Sequence, residues 1–249
     1  MKIQFQHTHK SYQADLSKPL DISITMRASS DNPTAWYVDP PKIEPVRTEQ
    51  FTGSVAEGGS VNFRDIAFNP HGHGTHTECV GHIAKEVFSV NQVLNQFFFL
   101  AEVITISPQI LENGDAVIFW NDIKNLRKHL DAEAIIIRTL PNTKEKLSKH
   151  YSNTNPAFVE PLAMTELVKQ GIQHFLIDLP SVDREEDGGA LAAHRAFWEF
   201  PETINLQRTI TELIFVDEQL KDGLYLLNLQ IASFENDASP SKPVLYALE

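Results

Sequence analysis

The segment LNQFFFLAEVITI, residues 94–106, is the strongest indication of the fold class. It is an almost continuous apolar run, and such runs are typical of β-strands that are buried on both faces. The segment AIIIRTL, residues 134–140, has the same character. The two segments therefore predict the buried centre of a β-sheet.

Helix patterns alternate with further strand patterns beyond these segments. LAMTELVKQG, residues 162–171, has helical spacing and ends at a glycine, and the strand-length run HFLIDLP, residues 174–180, follows it. LAAHRAFWEF, residues 191–200, predicts another helix. Three more strands are predicted in TELIFVD (211–217), LYLLNLQIA (224–232) and PVLYAL (243–248).

The N-terminal region predicts two strands and a long irregular segment. KIQFQHT (2–8) and LDISITM (20–26) alternate apolar and polar residues on either side of a turn, so we expect them to pair. Residues 29–59 are rich in Pro, Asn and Gly and contain Trp36 and Tyr37 as aromatic anchors. With no repeat and no long linker, residues 1–249 are predicted to form a single α/β domain with a mixed, strand-rich sheet and flanking helices.

Composition limits the environment and the partners. The chain is 42% hydrophobic and 22% charged, which is ordinary for a folded protein. A net charge of -12 would repel a phosphate backbone, so no nucleic-acid partner is expected. The most apolar window is half a membrane span and contains Glu102, and the N-terminus has no apolar stretch of a secretory signal. The single cysteine, Cys79, weakly favours a cytoplasmic location.

The segment PHGHGTHTECVGH, residues 70–82, contains four of the ten histidines of the chain. In an extended conformation His76 and Glu78 lie on one face, and His82 follows four residues later. Zinc and manganese both accept this mixture of imidazole and carboxylate ligands. The upstream residues IAFNPHG suit a loop at the end of a buried strand. A solvated surface loop remains the alternative, and a metal site is the more specific prediction.

The same segment resembles the signature of the cyclase-type metal-dependent hydrolases, the family that includes bacterial kynurenine formamidase. The family pattern His-x-Gly-Thr-His-x-Asp-x-Pro-x-His is matched in order by residues 74–78 and by His82. Residues 178–194, DLPSVDREEDGGALAAH, resemble a second family block, in which an Asp-x-x-Ser-x-Asp run precedes a ligand histidine. Residues 211–231 resemble a third, in which a carboxylate ligand opens a strand.

Carried over residue by residue, the resemblance implies a complete site and a swivelling β/α fold. It implies one or two divalent ions, zinc or manganese, with Glu78 as a candidate bridge, and it implies a homo-oligomer, a dimer or larger. It also implies that His82 acts as catalytic base or acid, a role that suits an imidazole pKa near neutrality. The implied metal ligands are His71, His76, Glu78, His194 and Glu212.

The sequence departs from the family pattern at several positions of the first block. One extra residue precedes Gly74, so His71 fits by its Pro-His context and His73 fits by distance; we favour His71. Glu78 replaces the usual aspartate, and Val80 replaces a proline. Strand alternation places Cys79 on the face opposite Glu78, as a buried thiol. These departures leave the substrate open.

The resulting hypothesis is a metal-dependent hydrolase of a carbon-nitrogen amide bond in a small molecule, similar to arylformamidases that act on N-formylkynurenine. Trp36 and Tyr37 are candidates for an aromatic wall of the substrate pocket, with anchoring of the loop as the alternative. Two other functions remain open, because a fold does not define a substrate. One is hydrolysis of another amide, cyclic imide or lactone, and the other is metal-stabilised binding without turnover.

Overall fold

The computed structural model describes all residues, 1–249, and confirms a mixed α/β fold. The four helices are α1 (Val90–Val93), α2 (Trp120–Leu126), α3 (Pro161–Lys169) and α4 (Ala192–Trp198). The strands are β1 (Lys2–His7), β2 (Lys10–Asp15), β3 (Leu20–Asp21), β4 (Lys42–Pro45), β5 (Arg64–Ala67), β6 (His76–Glu78), β7 (Phe98–Ile106), β8 (Gln109–Ile110), β9 (Ala116–Ile118), β10 (Ala134–Thr139), β11 (Phe158–Val159), β12 (His174–Ile177), β13 (Thr209–Glu212), β14 (Gly223–Asn228), β15 (Ala238–Pro240) and β16 (Val244–Ala247).

A nine-stranded curled sheet organises the chain in the order β15-β6-β13-β12-β10-β7-β14-β16-β3. The four central strands β13, β12, β10 and β7 are parallel, and the outer strands pair antiparallel. The predictions of buried strands in residues 94–106 and 134–140 are confirmed by β7 and β10. Because the parallel strands end at the same edge of the sheet, the loops that follow them lie close together.

Alternation along the central strands divides the core into two layers. On β10, Ile135 and Ile137 pack in the layer that contains helices α2, α3 and α4. Ala134 and Ile136 lie on the other face, in a layer closed by β14 and β16. Each strand is therefore buried on both faces, which explains why the two central segments have no polar alternation.

The two predicted helices lie where the sequence places them, whereas α1 and α2 were not predicted and one predicted strand pairing is wrong. The segments 162–171 and 191–200 form α3 and α4. KIQFQH does form β1, but it pairs with the neighbouring β2 rather than with LDISITM. Only Leu20 and Asp21 of that second segment form a strand, at the edge of the main sheet beside β16. A tight reversal after His7 brings residues 10–15 to β1 first, so sequence proximity decides the pairing.

Two further expectations are wrong near the candidate site. The strand upstream of the histidine-rich segment is not buried, because β5 pairs only with β4 and all four of its residues are exposed. The strand predicted at residues 211–217 begins earlier and ends at Glu212, so this carboxylate closes its strand instead of opening it. Leu213 follows with a φ of +52°, which ends the extended conformation.

The predicted irregular segment 29–59 is largely irregular, apart from β4 and a short 3-10 turn at Val55–Glu57. None of the helices has the length and apolarity that crossing a bilayer requires.

Candidate metal centre

Strand pairing places the first ligand candidates on one face of the sheet. In the antiparallel pair β6 and β13, His76 lies opposite Glu212 and Glu78 lies opposite Ile210. Directly paired residues point to the same side of a sheet, and residues two apart on one strand do as well. His76, Glu78 and Glu212 therefore point toward the helical layer, next to α4.

His194 reaches the same place from helix α4. The helix begins after Leu191, which has a φ of +46°, and Asp183 accepts hydrogen bonds from the backbone N–H groups of Ala193 and His194. This carboxylate satisfies N–H groups that the first turn of a helix leaves unpaired. The loop that begins at Asp178 thus supplies both the start of the helix and the orientation of His194.

Glu78 is the centre of the cluster, and its side chain is buried. Its Oε1 lies 2.9 Å from Nε2 of His194, and its Oε2 lies 3.0 Å from Nδ1 of His71. Glu212 is close by, with Oε2 3.3 Å from Nε2 of His76 and Oε1 3.7 Å from Nε2 of His194. Three imidazoles thus converge around two carboxylates, and the five side chains come from three separate sequence blocks.

The ring of His76 is oriented by its own backbone. Nδ1 lies 3.0 Å from the carbonyl oxygen of Gly74, and a carbonyl only accepts, so Nδ1 donates the hydrogen. Nε2 then presents a lone pair toward Glu212. The arrangement at His194 is equivalent, since its Nδ1 donates to Oδ2 of Asp183 at 2.6 Å. An outer hydrogen bond of this kind is the usual support of a histidine that binds a metal.

Two buried polar atoms in the cluster have no hydrogen-bond partner, namely Nε2 of His76 and Oε2 of Glu78. A buried polar atom without a partner is unusual and costs free energy. Both atoms are electron-pair donors of types that bind divalent metals. Three groups of side chains have ligand atoms within 4.8 Å of one another: His71, His76 and Glu78; Glu78, His82 and His194; and His71, His82 and Asp237. The donor set therefore fits a divalent cation.

The two candidates for the first histidine have different surroundings. The side chain of His71 faces Glu78, as described above. His73 is buried, but its Nδ1 accepts the backbone N–H of Asn69 and its Nε2 donates to the carbonyl oxygen of Asp39. Both ring nitrogens of His73 are occupied by the backbone, so the structure favours His71 as the ligand and assigns His73 to the loop.

His82 and Asp237 form the more exposed side of the cluster. Nδ1 of His82 lies 3.5 Å from Oδ2 of Asp237 and 3.9 Å from Oε2 of Glu78. The same oxygen of Asp237 is 2.9 Å from Nε2 of His71. The rings of His71 and His82 are 4.3 Å apart between centroids. His82 is therefore adjacent to the predicted ligands and also borders the solvent.

The carboxylates and imidazoles of the cluster shift each other's pKa values. Burial opposes protonation of His71, but the adjacent carboxylates of Asp237 and Glu78 outweigh it and raise the pKa of His71 to about 10. Burial likewise opposes protonation of His194, whereas Glu78 and Asp183 raise its pKa well above the ordinary value. Burial tends to raise the pKa of Glu78, but the neighbouring imidazoles lower it well below the ordinary value. Protonated imidazoles thus balance the carboxylates as a cation would.

A cavity of about 350 Å³ opens above this cluster. That volume is at the lower end of the range for small-molecule sites. Its wall includes His71, His82, His194 and Glu212, and Trp36 lies on the rim. Tyr37 does not line the cavity; its side chain is exposed and its hydroxyl donates to Glu185. Of the two aromatic candidates, only Trp36 lines the cavity.

Glycines allow the backbone to pass close to the cluster at two positions. A Cβ on Gly72 would lie 2.8 Å from a methyl group of Val38. A Cβ on Gly81 would lie 2.3 Å from the carbonyl oxygen of Phe88 and 3.1 Å from Cβ of Asp237. Any larger residue at Gly81 would therefore displace Asp237 or the Phe88 backbone. Cys79, as expected, is buried, and burial raises the pKa of its thiol to about 12.

The sequence did not identify two members of this site. Asp183 lies in a block that the sequence singles out, but its role as the hydrogen-bond acceptor of His194 depends on tertiary contact. Asp237 lies in FENDASP, residues 234–240, where Asn, Asp, Ser and Pro are typical of a turn. No local pattern distinguishes it from other turn aspartates, since its neighbour His71 is 166 residues away.

Comparisons with known proteins agree on the family and the fold. The family model described as putative cyclase matches residues 14–184. Kynurenine formamidase of Delftia acidovorans is 26% identical over 202 residues, which are 81% of this chain and 88% of that protein. Isatin hydrolase A of Ralstonia solanacearum has a similar fold, with a TM-score of 0.67, 16% identity and 92% of each chain covered. A predicted metal-dependent hydrolase of Bacillus stearothermophilus gives a TM-score of 0.63 and 16% identity, covering 92% of this chain and 98% of its own.

Proposed function

This chain belongs to the putative cyclase family, and on that premise we propose that it is a divalent-metal-dependent hydrolase that cleaves a carbon-nitrogen amide bond of a small molecule. The substrate that we propose first is an aryl formamide such as N-formylkynurenine. The similarity to a kynurenine formamidase supports this choice. The whole chain, residues 1–249, is proposed to act as one domain.

The observation that carries the proposal is the pair of unpartnered buried atoms, Nε2 of His76 and Oε2 of Glu78. A structural cluster of histidines and carboxylates would be expected to satisfy its own hydrogen bonds. Here the ring nitrogens that face outward are satisfied, and the unsatisfied atoms face inward. That distribution supports a cation as the missing partner.

The residues that we propose as metal ligands are His71, His76, Glu78, His194 and Glu212, for zinc or manganese and for one or two ions. Bound there, a divalent ion supplies a water molecule with a lowered pKa and polarises the substrate carbonyl. Asp183 and the carbonyl of Gly74 hold His194 and His76 with Nε2 directed inward. Val182 donates its backbone N–H to Oε1 of Glu212, which fixes the second carboxylate.

His82 is the proposed proton carrier. Its Nδ1 faces Asp237, which leaves Nε2 as the ring nitrogen for exchange of a proton with a substrate in the cavity. The leaving nitrogen of an amide must gain a proton as the carbon-nitrogen bond breaks, and a positioned imidazole provides it. Partial exposure of His82 allows the proton to be restored from solvent.

The remaining walls of the cavity suit an aromatic substrate with a polar tail. Trp36 offers an apolar surface beside the cluster. Arg184 lies on the same wall, where Asp115 and the backbone of Glu186 hold its guanidinium group. A cyclic amide such as isatin is the second candidate substrate, because the fold is similar to that of isatin hydrolase A. A cytoplasmic location and a homo-oligomeric state are also part of the proposal.

Hydrolysis by metal-stripped protein reloaded in turn with zinc and manganese tests this function. N-formylkynurenine and isatin are supplied separately, and the protein stripped of metal is the control. Metal-dependent release of formate from N-formylkynurenine is expected. Hydrolysis of isatin but not of N-formylkynurenine would indicate that the substrate is a cyclic amide and not an aryl formamide. If the protein binds metal but hydrolyses neither compound nor any other amide, imide or lactone, it would be a metal-binding protein without turnover. That outcome would contradict the proposed hydrolase function.

A further inference from the structure

The buried histidines of the cluster share one arrangement, in which one ring nitrogen faces the inner carboxylates and the other is held from outside. The outer acceptor is the Gly74 carbonyl for His76 and the Asp183 carboxylate for His194. For His71 the nitrogen near Glu78 is Nδ1, and the outer nitrogen, Nε2, lies 2.9 Å from Oδ2 of Asp237. Asp237 therefore occupies the position that Asp183 has at His194.

We propose that Asp237 is a positioning residue, which holds the ring of His71 with Nδ1 toward the metal centre and with its hydrogen on Nε2. The inference rests on the proposed function, because it assigns a task within that site. A carboxylate that accepts this hydrogen fixes the ring and makes the opposite nitrogen a stronger ligand. Asp237 lies beyond residue 184, where the family match ends.

The backbone around Asp237 is built to hold it against the histidine-rich segment. Cys79 donates its N–H to the carbonyl oxygen of Asp237 at 3.0 Å, and Val90 donates to that of Asn236 at 2.8 Å. The next residue, Ala238, starts β15 in register with Glu78. These contacts tie Asp237 and Ala238 to the strand that contains Glu78 and its end, and they tie Asn236 to the start of α1. Its position is thus determined by the sheet and not by a free loop.

The same carboxylate oxygen also faces His82, with its Nδ1 at 3.5 Å. One oxygen is therefore shared by a proposed ligand and by the proposed proton carrier, whose ring centroids are 4.3 Å apart. His71 is the nearer of the two, by more than half an ångström. We therefore expect Asp237 to act more strongly on His71 than on His82. Loss of the Asp237 carboxylate should then weaken metal binding above all.

Metal binding in a double-mutant cycle tests this assignment. The dissociation constant for zinc is measured by competition with a chromophoric chelator for the wild type, Asp237→Asn, His71→Ala and the double variant. Asp237→Asn is expected to weaken binding about 10–100-fold in the wild-type background, as removal of other outer carboxylates does. In the His71→Ala background it should change binding less than about threefold, because the residue through which it acts is gone.

An equal loss in both backgrounds would make Asp237 an independent ligand and overturn the proposal, and so would an unchanged constant in the wild-type background. Asp131→Asn is the matched control. Asp131 is also partly buried and hydrogen-bonded, but it precedes the first residue of β10, at the opposite end of the sheet. Its substitution should leave the zinc constant unchanged. Unfolding temperatures of the metal-free variants verify that each one folds.

A second measurement keeps the test independent of the variants. In zinc-loaded protein labelled with ¹⁵N at histidine, the ring of His71 should carry its hydrogen on Nε2 and bind through Nδ1. Binding through Nε2 would overturn the assignment. Both readouts report on zinc and not on turnover. Failure of N-formylkynurenine hydrolysis would therefore count against the proposed function while leaving this inference standing.

Discussion

His194 on helix α4 and His174 at the start of β12 are both buried histidines, and their electrostatic surroundings are opposite. His174 begins β12, with its ring centroid 3.9 Å from that of Phe99 and its Nδ1 2.8 Å from the hydroxyl of Thr209. Burial without any charged partner lowers the pKa of His174 to about 3. His194 lies between the carboxylates of Asp183 and Glu78, and its pKa is raised.

The difference shows that burial alone does not distinguish a ligand histidine from a structural one. Both side chains are nearly inaccessible, at 4% for His174 and 2% for His194. Burial favours the neutral ring, and only adjacent carboxylates reverse that preference. A neutral imidazole beside Phe99 and Thr209 is a core residue, whereas an imidazole between two carboxylates fits the proposed metal centre. Four predictions test this contrast.

The largest effect on zinc binding is expected when the proposed ligand His76 is removed. The buried histidine of the core, His174, is substituted in parallel for comparison. His76→Ala should weaken zinc binding by more than about 100-fold, beyond the loss typical of outer residues, and metal-dependent hydrolysis should disappear with it. His174→Gln, which keeps a hydrogen-bonding group beside Thr209, should bind zinc like the wild type. Elemental analysis after dialysis measures both. Equal zinc content in the His76→Ala protein would refute the site.

His82→Ala separates proton transfer from metal binding. The expected fall in kcat is about 10²–10⁴-fold, the usual contribution of a general acid or base. Zinc content should stay near that of the wild type, because the inner ligands remain. Steady-state hydrolysis and elemental analysis are carried out on the same preparation. A parallel loss of zinc and activity would instead make His82 a ligand.

Asp183→Asn converts the surroundings of His194 toward those of His174. The ring loses its charged acceptor on Nδ1, so zinc affinity is expected to fall about 10–100-fold. The side chain keeps one acceptor oxygen for the N–H groups at the start of α4, so the helix should persist. Chelator competition gives the affinity, and circular dichroism verifies the helix. Unchanged affinity would show that the outer carboxylate has no influence on His194.

The smallest effect concerns stability at acidic pH and His174. Its pKa is about 3 in the folded protein and about 6.5 in an unfolded chain, so only the unfolded state gains a proton between these values. Stability should therefore fall as the pH drops from about 6.5 toward 3, by about 1.4 kcal/mol per unit at most. The total loss at pH 5 would be about 2 kcal/mol.

His174→Gln removes this titration, so the variant should lose less stability than the wild type between pH 7 and pH 5. Urea unfolding of both proteins at the two pH values measures the difference, and contributions from other groups cancel in the comparison. An identical loss in the two proteins would contradict the neutral, buried assignment of His174.

Local pattern was sufficient for the elements at the centre of the fold. Continuous apolar runs predicted β7 and β10, and helical spacing with a terminal glycine predicted α3. Burial on both faces and amphipathic periodicity can each be recognised within a single segment of the sequence. The pairing of strands could not be predicted from the hydrophobic pattern of single segments. The segment at residues 20–26 has strand alternation, yet only two of its residues join the sheet, since partners are chosen by the whole sheet.

By itself, the sequence determined that His76 and Glu78 share one face, since strand spacing sets their orientation, whereas His82 lies beyond that strand on a 3-10 turn. Only the tertiary structure showed that His71 faces the carboxylates while backbone contacts occupy both ring nitrogens of His73. It also brought in Asp237, from a turn with no distinguishing pattern. The contact between Asp237 and His71 joins segments 166 residues apart, and a contact of this kind is fixed only when the strands pair.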